Sequence, residues 1–192
     1  MSDPDYPGYR ESGVLQISRP DTRWLATGYN GGFQTGSVAY NCTVPEDYNP
    51  EDLSADVAQR LEDAGFHTEG PVLLTGVDQS HAHGARTGPV TAYATVGLSN
   101  PAVLPLDTAE TGQRIERETA DTAPPTGTVN LIVGTTRAVT EAGMANLVAS
   151  VAEARTATLL ELAGFTGTTS DAIVVGRDPA GGLVRYTGRA PE

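Results

Sequence analysis

Residues 24–44, WLATGYNGGFQTGSVAYNCTV, decide how this chain is read. Asn30-Gly31-Gly32 is a tight turn, because these residue types accept positive φ at little cost. Two extended segments therefore fold back on each other through it. Side-chain amides flank the turn, Asn30 on it and Asn41 in the strand beyond. An amide both donates and accepts, which is what a site needs to hold another amide or a carboxyl group.

Working outward, residues 14–18 alternate as a short strand before a Pro20-Asp21 turn. Residues 1–13, with Pro4, Pro7, Gly8 and charges but no periodicity, read as a loose N-terminal tail. Asn49-Pro50 opens a helix over 51–64, with Leu53, Val57 and Leu61 on one face and Gly65 as its stop. Residues 72–77 form a short buried strand, 78–88 a polar loop and 89–98 another strand. Residues 106–126 are polar, end in Pro and read as an exposed loop. A buried strand follows at 128–133.

The longest helix is predicted over 140–163, capped by Thr140 and stopped by Gly164. Met144, Leu147, Val148, Val151, Ala154, Thr158 and Leu162 share one face. The opposite face, with Ala145, Ala149, Ala152, Thr156 and Leu160, is small rather than charged, so the helix is expected to be packed on both sides. Strands at 172–175 and 183–187 complete the pattern. The fold class is α/β or α+β: one layered domain over 14–192, a mixed sheet with packed helices and no internal repeat.

Composition narrows the function. The chain has 192 residues, 24 acidic against 12 basic; every basic residue is Arg and none is Lys. Net negative charge opposes nucleic acid and anionic membrane as partners. It fits a protein adapted to molar salt, where charge repulsion is screened within about 3 Å. Most carboxylates then belong to a solvated surface. No apolar run is long enough to span a membrane, and the acidic N-terminus lacks the features of a secretory signal. The single Cys42 excludes a disulfide framework. A reducing cytoplasm is the simplest setting, and a homo-oligomer remains open.

Four features carry possible chemistry. His81 and His83 have the His-x-His form of some metal sites, but the surrounding Asp78, Gln79, Ser80, Gly84 and Arg86 are loop-like and favour a surface or substrate-facing loop. Arg155 falls within about 40° of Val151 on the apolar helix face. It needs a carboxylate, carbonyl or anion there, because an unpaired buried charge costs several kcal/mol; Asp171 is a candidate partner. Residues 166–171, TGTTSD, place small hydroxyls and a glycine before a strand, where backbone N–H groups can meet an anion or amide oxygen. Cys42 reads as a small buried hydrophobe.

Six segments, in order, resemble the adenosylcobinamide amidohydrolase family of corrinoid salvage. They are Thr27-Gly28-Tyr29-Asn30-Gly31-Gly32 with Asn41 and Val44; Leu73-Leu74-Thr75-Gly76-Val77; Val90-Thr91-Ala92 through Thr95-Val96-Gly97-Leu98-Ser99-Asn100; Gly127-Thr128-Val129-Asn130-Leu131-Ile132; Glu153-Ala154-Arg155-Thr156; and Gly167-Thr168-Thr169-Ser170-Asp171-Ala172. The resemblance implies hydrolysis of the amide joining a corrin propionyl arm to aminopropanol, giving adenosylcobyric acid. The substrate is itself a cobalt corrinoid, and no further cofactor or metal is expected. The chain departs from the family pattern at Arg155, where Lys is usual, and at Ala152, where Thr is usual. It also stops at Glu192, where the family tends to continue.

Amide hydrolysis needs an activated water, an oxyanion stabiliser and a proton for the leaving amine. Glu153 or Asp171 is the first choice of base, and His81 or His83 the second. Asn30, Asn41, Asn100 and Asn130 are candidate donors to the oxyanion and to the corrin's peripheral amides. Gly31, Gly32, Arg155 and Thr168 complete the expected substrate-binding set, in a wide groove lined by the glycine turns. Two alternatives stand beside this reading: a corrinoid-binding protein without turnover, and a metal-dependent hydrolase of another amide using His81 and His83.

Overall fold

A hairpin of two long strands organises the chain. The computed structural model describes residues 5–45, 47–98, 101–102 and 127–183. In chain order the elements are β1 (Gly8–Glu11), β2 (Val14–Ala26), β3 (Gly32–Thr43), α1 (Leu53–Asp63), β4 (Val72–Thr75), a 3-10 turn (Gln79–His81), β5 (His83–Thr87), β6 (Val90–Val96), β7 (Pro101–Ala102), β8 (Val129–Thr135), α2 (Glu141–Ala163), β9 (Gly167–Thr168) and β10 (Ala172–Arg177). Eight strands form a mixed sheet in the order β4-β3-β2-β10-β8-β6-β5, with β1 beside β2. The layered α/β expectation holds.

β2 and β3 pair antiparallel from Val14↔Cys42 to Ala26↔Gly32. The expected turn closes them, with Asn30 at φ 47° and Gly32 at φ 103°. A Cβ on Gly31 would lie 2.6 Å from the Ala26 carbonyl oxygen, so only glycine fits there. Pro20-Asp21 is not a turn between strands. It is a register shift inside β2, between Ser18 and Thr22, with Asp21 at φ 52°. Pro20 has no N–H for the ladder, so the irregularity falls there and bends the strand.

The sheet curls. β8 and β4 are separated by three strands in the pairing order, yet Asn130 Nδ2 of β8 reaches the Leu74 carbonyl of β4 at 2.9 Å. Leu15, Ile17, Trp24, Ala39, Ile132 and Val174 fill the inside of the curl. On the outside, α1 packs Val57 against Val38, Tyr40 and Cys42. α2 packs Met144 against Val133, Ile173 and Val175.

Four further expectations need correction. Residues 5–11 are not a loose tail. Tyr6 is fully buried, edge-on to Trp24 at 5.9 Å; its hydroxyl donates to the Thr135 carbonyl, and β1 pairs with β2. One aromatic residue in a Pro-rich stretch carries no periodicity, yet its burial is enough to anchor the segment. Residues 78–88 are a 3-10 turn and β5, an exposed edge strand with no apolar face to betray it. The first helix starts later than Asn49-Pro50 suggests, because Asp52 is its N-cap and accepts from Ala55 N.

The last correction concerns α2. Thr140 caps it and Gly164 ends it in the left-handed conformation, φ 77°. It is not packed on both sides, however: Ala145, Ala149 and Leu160 are exposed, as is Leu162, which was assigned to the apolar face. Met144, Val148, Val151, Arg155 and Leu159 form the face turned to the sheet. Of the strand expected at 183–187, only Leu183 is described, in an isolated bridge to Ala138. The loop expected at 106–126 and Asn100 lie outside the described residues.

Candidate active site

At one end of the curl, buried amides and hydroxyls meet. Asn41 and Asn130 are 2 % and 1 % exposed. Each sits on the inward face of its strand, where alternation also places Ala39 and Ile132. Asn130 Nδ2 donates to Asn41 Oδ1 at 2.9 Å and to the Leu74 carbonyl. Asn41 Nδ2 donates to Thr95 Oγ1 at 2.9 Å and to Gln79 Oε1 at 3.4 Å. Gln79 Nε2 donates to Thr43 Oγ1 at 3.3 Å, which donates to the Val77 carbonyl at 2.9 Å. Thr95, from one of the family segments, belongs to the network, and so do Gln79 and Thr43, which the sequence did not single out for a site. Gln79 looks like a solvated loop residue until the 3-10 turn folds it inward. That turn is held by Arg10 of β1, whose Nη1 donates to the carbonyls of Gln79 and Ser80.

Beside this network lies an ionic clamp. Arg155 Nη1 pairs with Asp171 Oδ2 at 3.0 Å, and the two side chains are 18 % and 6 % exposed. Asp171 also accepts from Val129 N at 2.8 Å, from Thr168 N at 2.9 Å and from the Thr168 hydroxyl. The clamp ties α2, the loop before β10 and the start of β8 together. A carboxylate with both oxygens engaged by four donors has its lone pairs committed, so its geometry suits positioning better than base catalysis. The Thr168 N–H is committed to Asp171 rather than open to an anion.

Residues from each of the six segments singled out in the sequence meet here. Thr27 N donates to the Ile173 carbonyl at 2.9 Å, and Ile173 N to Thr27 Oγ1 at 3.0 Å. A Cβ on Gly28 would lie 2.8 Å from Leu73 Cδ2 and 3.3 Å from Ala172 Cβ, so a side chain there would displace Leu73. Gly97 N donates to the Thr128 carbonyl at 3.0 Å. Thr128 and Ser170 share a hydroxyl contact of 2.8 Å. Segments scattered over most of the chain thus form one continuous rim.

The remaining candidates are spread more widely. Asn30, Gly31 and Gly32 are exposed on the hairpin turn, where the Asn30 carbonyl accepts from Gln34. Glu153 is exposed on α2, about 160° around the helix from Arg155. His83 pairs with Ala94 in the β5–β6 ladder and shares its face, outside the curl, opposite to Thr95. His81 is exposed in the 3-10 turn that delivers Gln79. The two histidines therefore do not share a strand face. Among the described residues no group of three His, Cys, Asp or Glu side chains is placed to hold a metal ion. Cys42 is fully buried, and burial pushes its thiol up to about 12.

A groove of about 440 Å³ lies outside the curl, between β6, β8 and α2. Ala92, Val96, Leu131, Leu147 and Val151 line it, with Arg155 at its polar point. It is lined by aliphatic side chains rather than by glycine turns. Arg155 and Val129 belong both to this groove and to the clamp.

The family model described as adenosylcobinamide amidohydrolase matches residues 4–192. The chain belongs to the adenosylcobinamide amidohydrolase family. It is 52 % identical over 180 residues to a protein named adenosylcobinamide amidohydrolase from Halobacterium salinarum, covering 93 % of this chain and 76 % of that one. A protein of the same name from Methanosarcina mazei is 25 % identical over 160 residues, covering 83 % and 71 %. No solved structure matches. The reading of the acidic, Lys-free composition as salt adaptation fits the Halobacterium relative. No helix among the described residues is long and apolar enough to cross a membrane.

Proposed function

We propose that the chain hydrolyses the aminopropanol amide of adenosylcobinamide to adenosylcobyric acid and the free amino alcohol, in corrinoid salvage. The observation that carries this reading is that residues from each of the six family segments meet on one rim around Asn41 and Asn130. The corrin, with its apolar ring edge and amide-bearing arms, suits a rim of this kind beside an aliphatic groove.

Within this reading His81 is the general base. Asp171 is committed to four donors, Glu153 points away on α2, and His83 lies on the outer sheet face. His81 alone among the four is exposed on the turn that feeds the network. Asp171, Arg155 and Asn41 then act as positioning residues, while Asn130 meets the substrate's amides. No metal or further cofactor is required, the chain works in the cytoplasm, and its net charge of −12 keeps it from nucleic acid and anionic membrane. Incubation with adenosylcobinamide in molar KCl, with products followed by mass spectrometry, tests the activity.

One observation favours a second reading, a corrinoid-binding protein without turnover: both carboxylates first in line as base are either engaged or remote. That reading expects cobinamide to bind and no aminopropanol to appear.

A further inference from the structure

The hydrogen-bond chain at the rim runs in one direction and ends in a buried, unpaired acceptor. Its orientation is pinned at both ends by backbone carbonyls, which can only accept. The Val77 carbonyl takes the single hydroxyl proton of Thr43. Thr43 Oγ1 must then accept, so Gln79 presents its NH2 group and its Oε1 faces Asn41. Asn41 in turn directs its NH2 group at Gln79 and Thr95 and its Oδ1 at Asn130. Both Asn130 N–H donors are consumed, by Asn41 Oδ1 and by the Leu74 carbonyl. Among the described residues, Asn130 Oδ1 is left buried with no partner. Flipping any amide in the chain would set N–H against N–H or carbonyl against carbonyl.

We propose that Asn130 Oδ1 accepts an amide N–H of the bound corrinoid, so that the site selects carboxamide-bearing corrinoids over those without N–H donors. The inference rests on the corrinoid reading above and gives Asn130 a role opposite to that of an oxyanion donor. A buried carbonyl without a donor is costly, and a ligand that supplies one is favoured over a ligand of the same shape that cannot. Asn130 is suited to this role by place as well as chemistry. It begins β8 immediately after Val129, whose N–H is fixed by Asp171. Its neighbours in the ladder are Thr95 and Ala172, both on the rim.

The test compares two ligands of equal charge on the intact protein in molar KCl: adenosylcobinamide, and the adenosyl corrinoid in which every side-chain amide is replaced by a methyl ester. The ester keeps each carbonyl and loses every N–H. Affinities are read by rapid spectral titration, so turnover is not needed. Wild type is expected to favour the amide by at least about 10- to 100-fold, and Asn130→Ala to lose about tenfold or more of that preference. An equal preference in wild type and variant would overturn the inference while leaving the corrinoid reading intact. No binding of adenosylcobinamide at all would overturn both. Should Asn130→Ala fail to fold, a crystal structure of the wild-type complex decides. A corrinoid nitrogen within about 3.2 Å of Asn130 Oδ1 supports the inference, and the absence of any ligand donor there refutes it.

Discussion

Arg155 of α2 holds Asp171 at 3.0 Å, and Asp171 holds the first backbone N–H of β8 at 2.8 Å. One carboxylate thereby fixes a helix to the strand that carries Asn130. Replacing Asp171 with Asn leaves Arg155 a nearly buried cation without its counter-ion. Asp171→Asn is expected to cost about 3–5 kcal/mol in stability, the range for breaking one partner of a buried pair, measured by denaturant unfolding. Turnover should fall as well, while the pH dependence of kcat in whatever protein remains folded keeps its wild-type midpoint. A shifted midpoint would instead make Asp171 the base.

Both histidines and Glu153 can be separated by kinetics. His81→Gln is expected to lower kcat by about 100-fold or more, within the usual contribution of a general base. His83→Gln and Glu153→Gln, on the outer sheet face and the exposed side of α2, should stay within about twofold of wild type. A large loss at Glu153 alone would move the base to α2 and require a substrate pose over its exposed face.

The sequence discloses what is encoded locally. Thr140 and Gly164 mark the ends of α2, and Asn30-Gly31-Gly32 marks the hairpin, because caps and positive-φ turns are properties of a few adjacent residues. Arg155 on an apolar stripe announces its need for a partner, and Asp171 supplies it. β5 was not legible, since His83–Thr87 is exposed at every position and its order comes from pairing with β6. Gln79 was not legible either. Its place in the network depends on Arg10, far away in the chain, holding the 3-10 turn in position. The second apolar face assigned to α2 was misleading because small residues tolerate solvent as readily as packing.

Cys42 is predicted to be chemically silent. It is fully buried and its thiol is pushed up to about 12 by burial, so the thiolate that reacts is scarce at neutral pH. Native protein should resist a thiol-specific chromogenic reagent at pH 8 and react once unfolded. Cys42→Ala should retain turnover. Rapid labelling of the native state would show that α1 does not cover β3 as described.

Acid should unfold the protein partly through Asp178. Burial raises its carboxyl, but hydrogen bonding to Arg19 and to the N–H groups of Ala180 and Gly181 outweighs this and holds it below the usual value. A group depressed in the folded state contributes stability above its unfolded value and loses it as pH falls through the folded value. The melting temperature is therefore expected to decline as pH drops below about 4. Asp178→Asn should flatten that decline and lower the melting temperature near neutrality. An unchanged acid slope would remove the Arg19–Asp178 pair from the account.

The central claim is that the rim around Asn41 and Asn130 cleaves the aminopropanol amide of a corrinoid. The most direct test incubates purified protein with adenosylcobinamide in molar KCl and quantifies both products by mass spectrometry. The account predicts adenosylcobyric acid and aminopropanol in equal amounts, with their formation lost in His81→Gln. Wild-type protein that leaves adenosylcobinamide intact, whether bound or free, would contradict it.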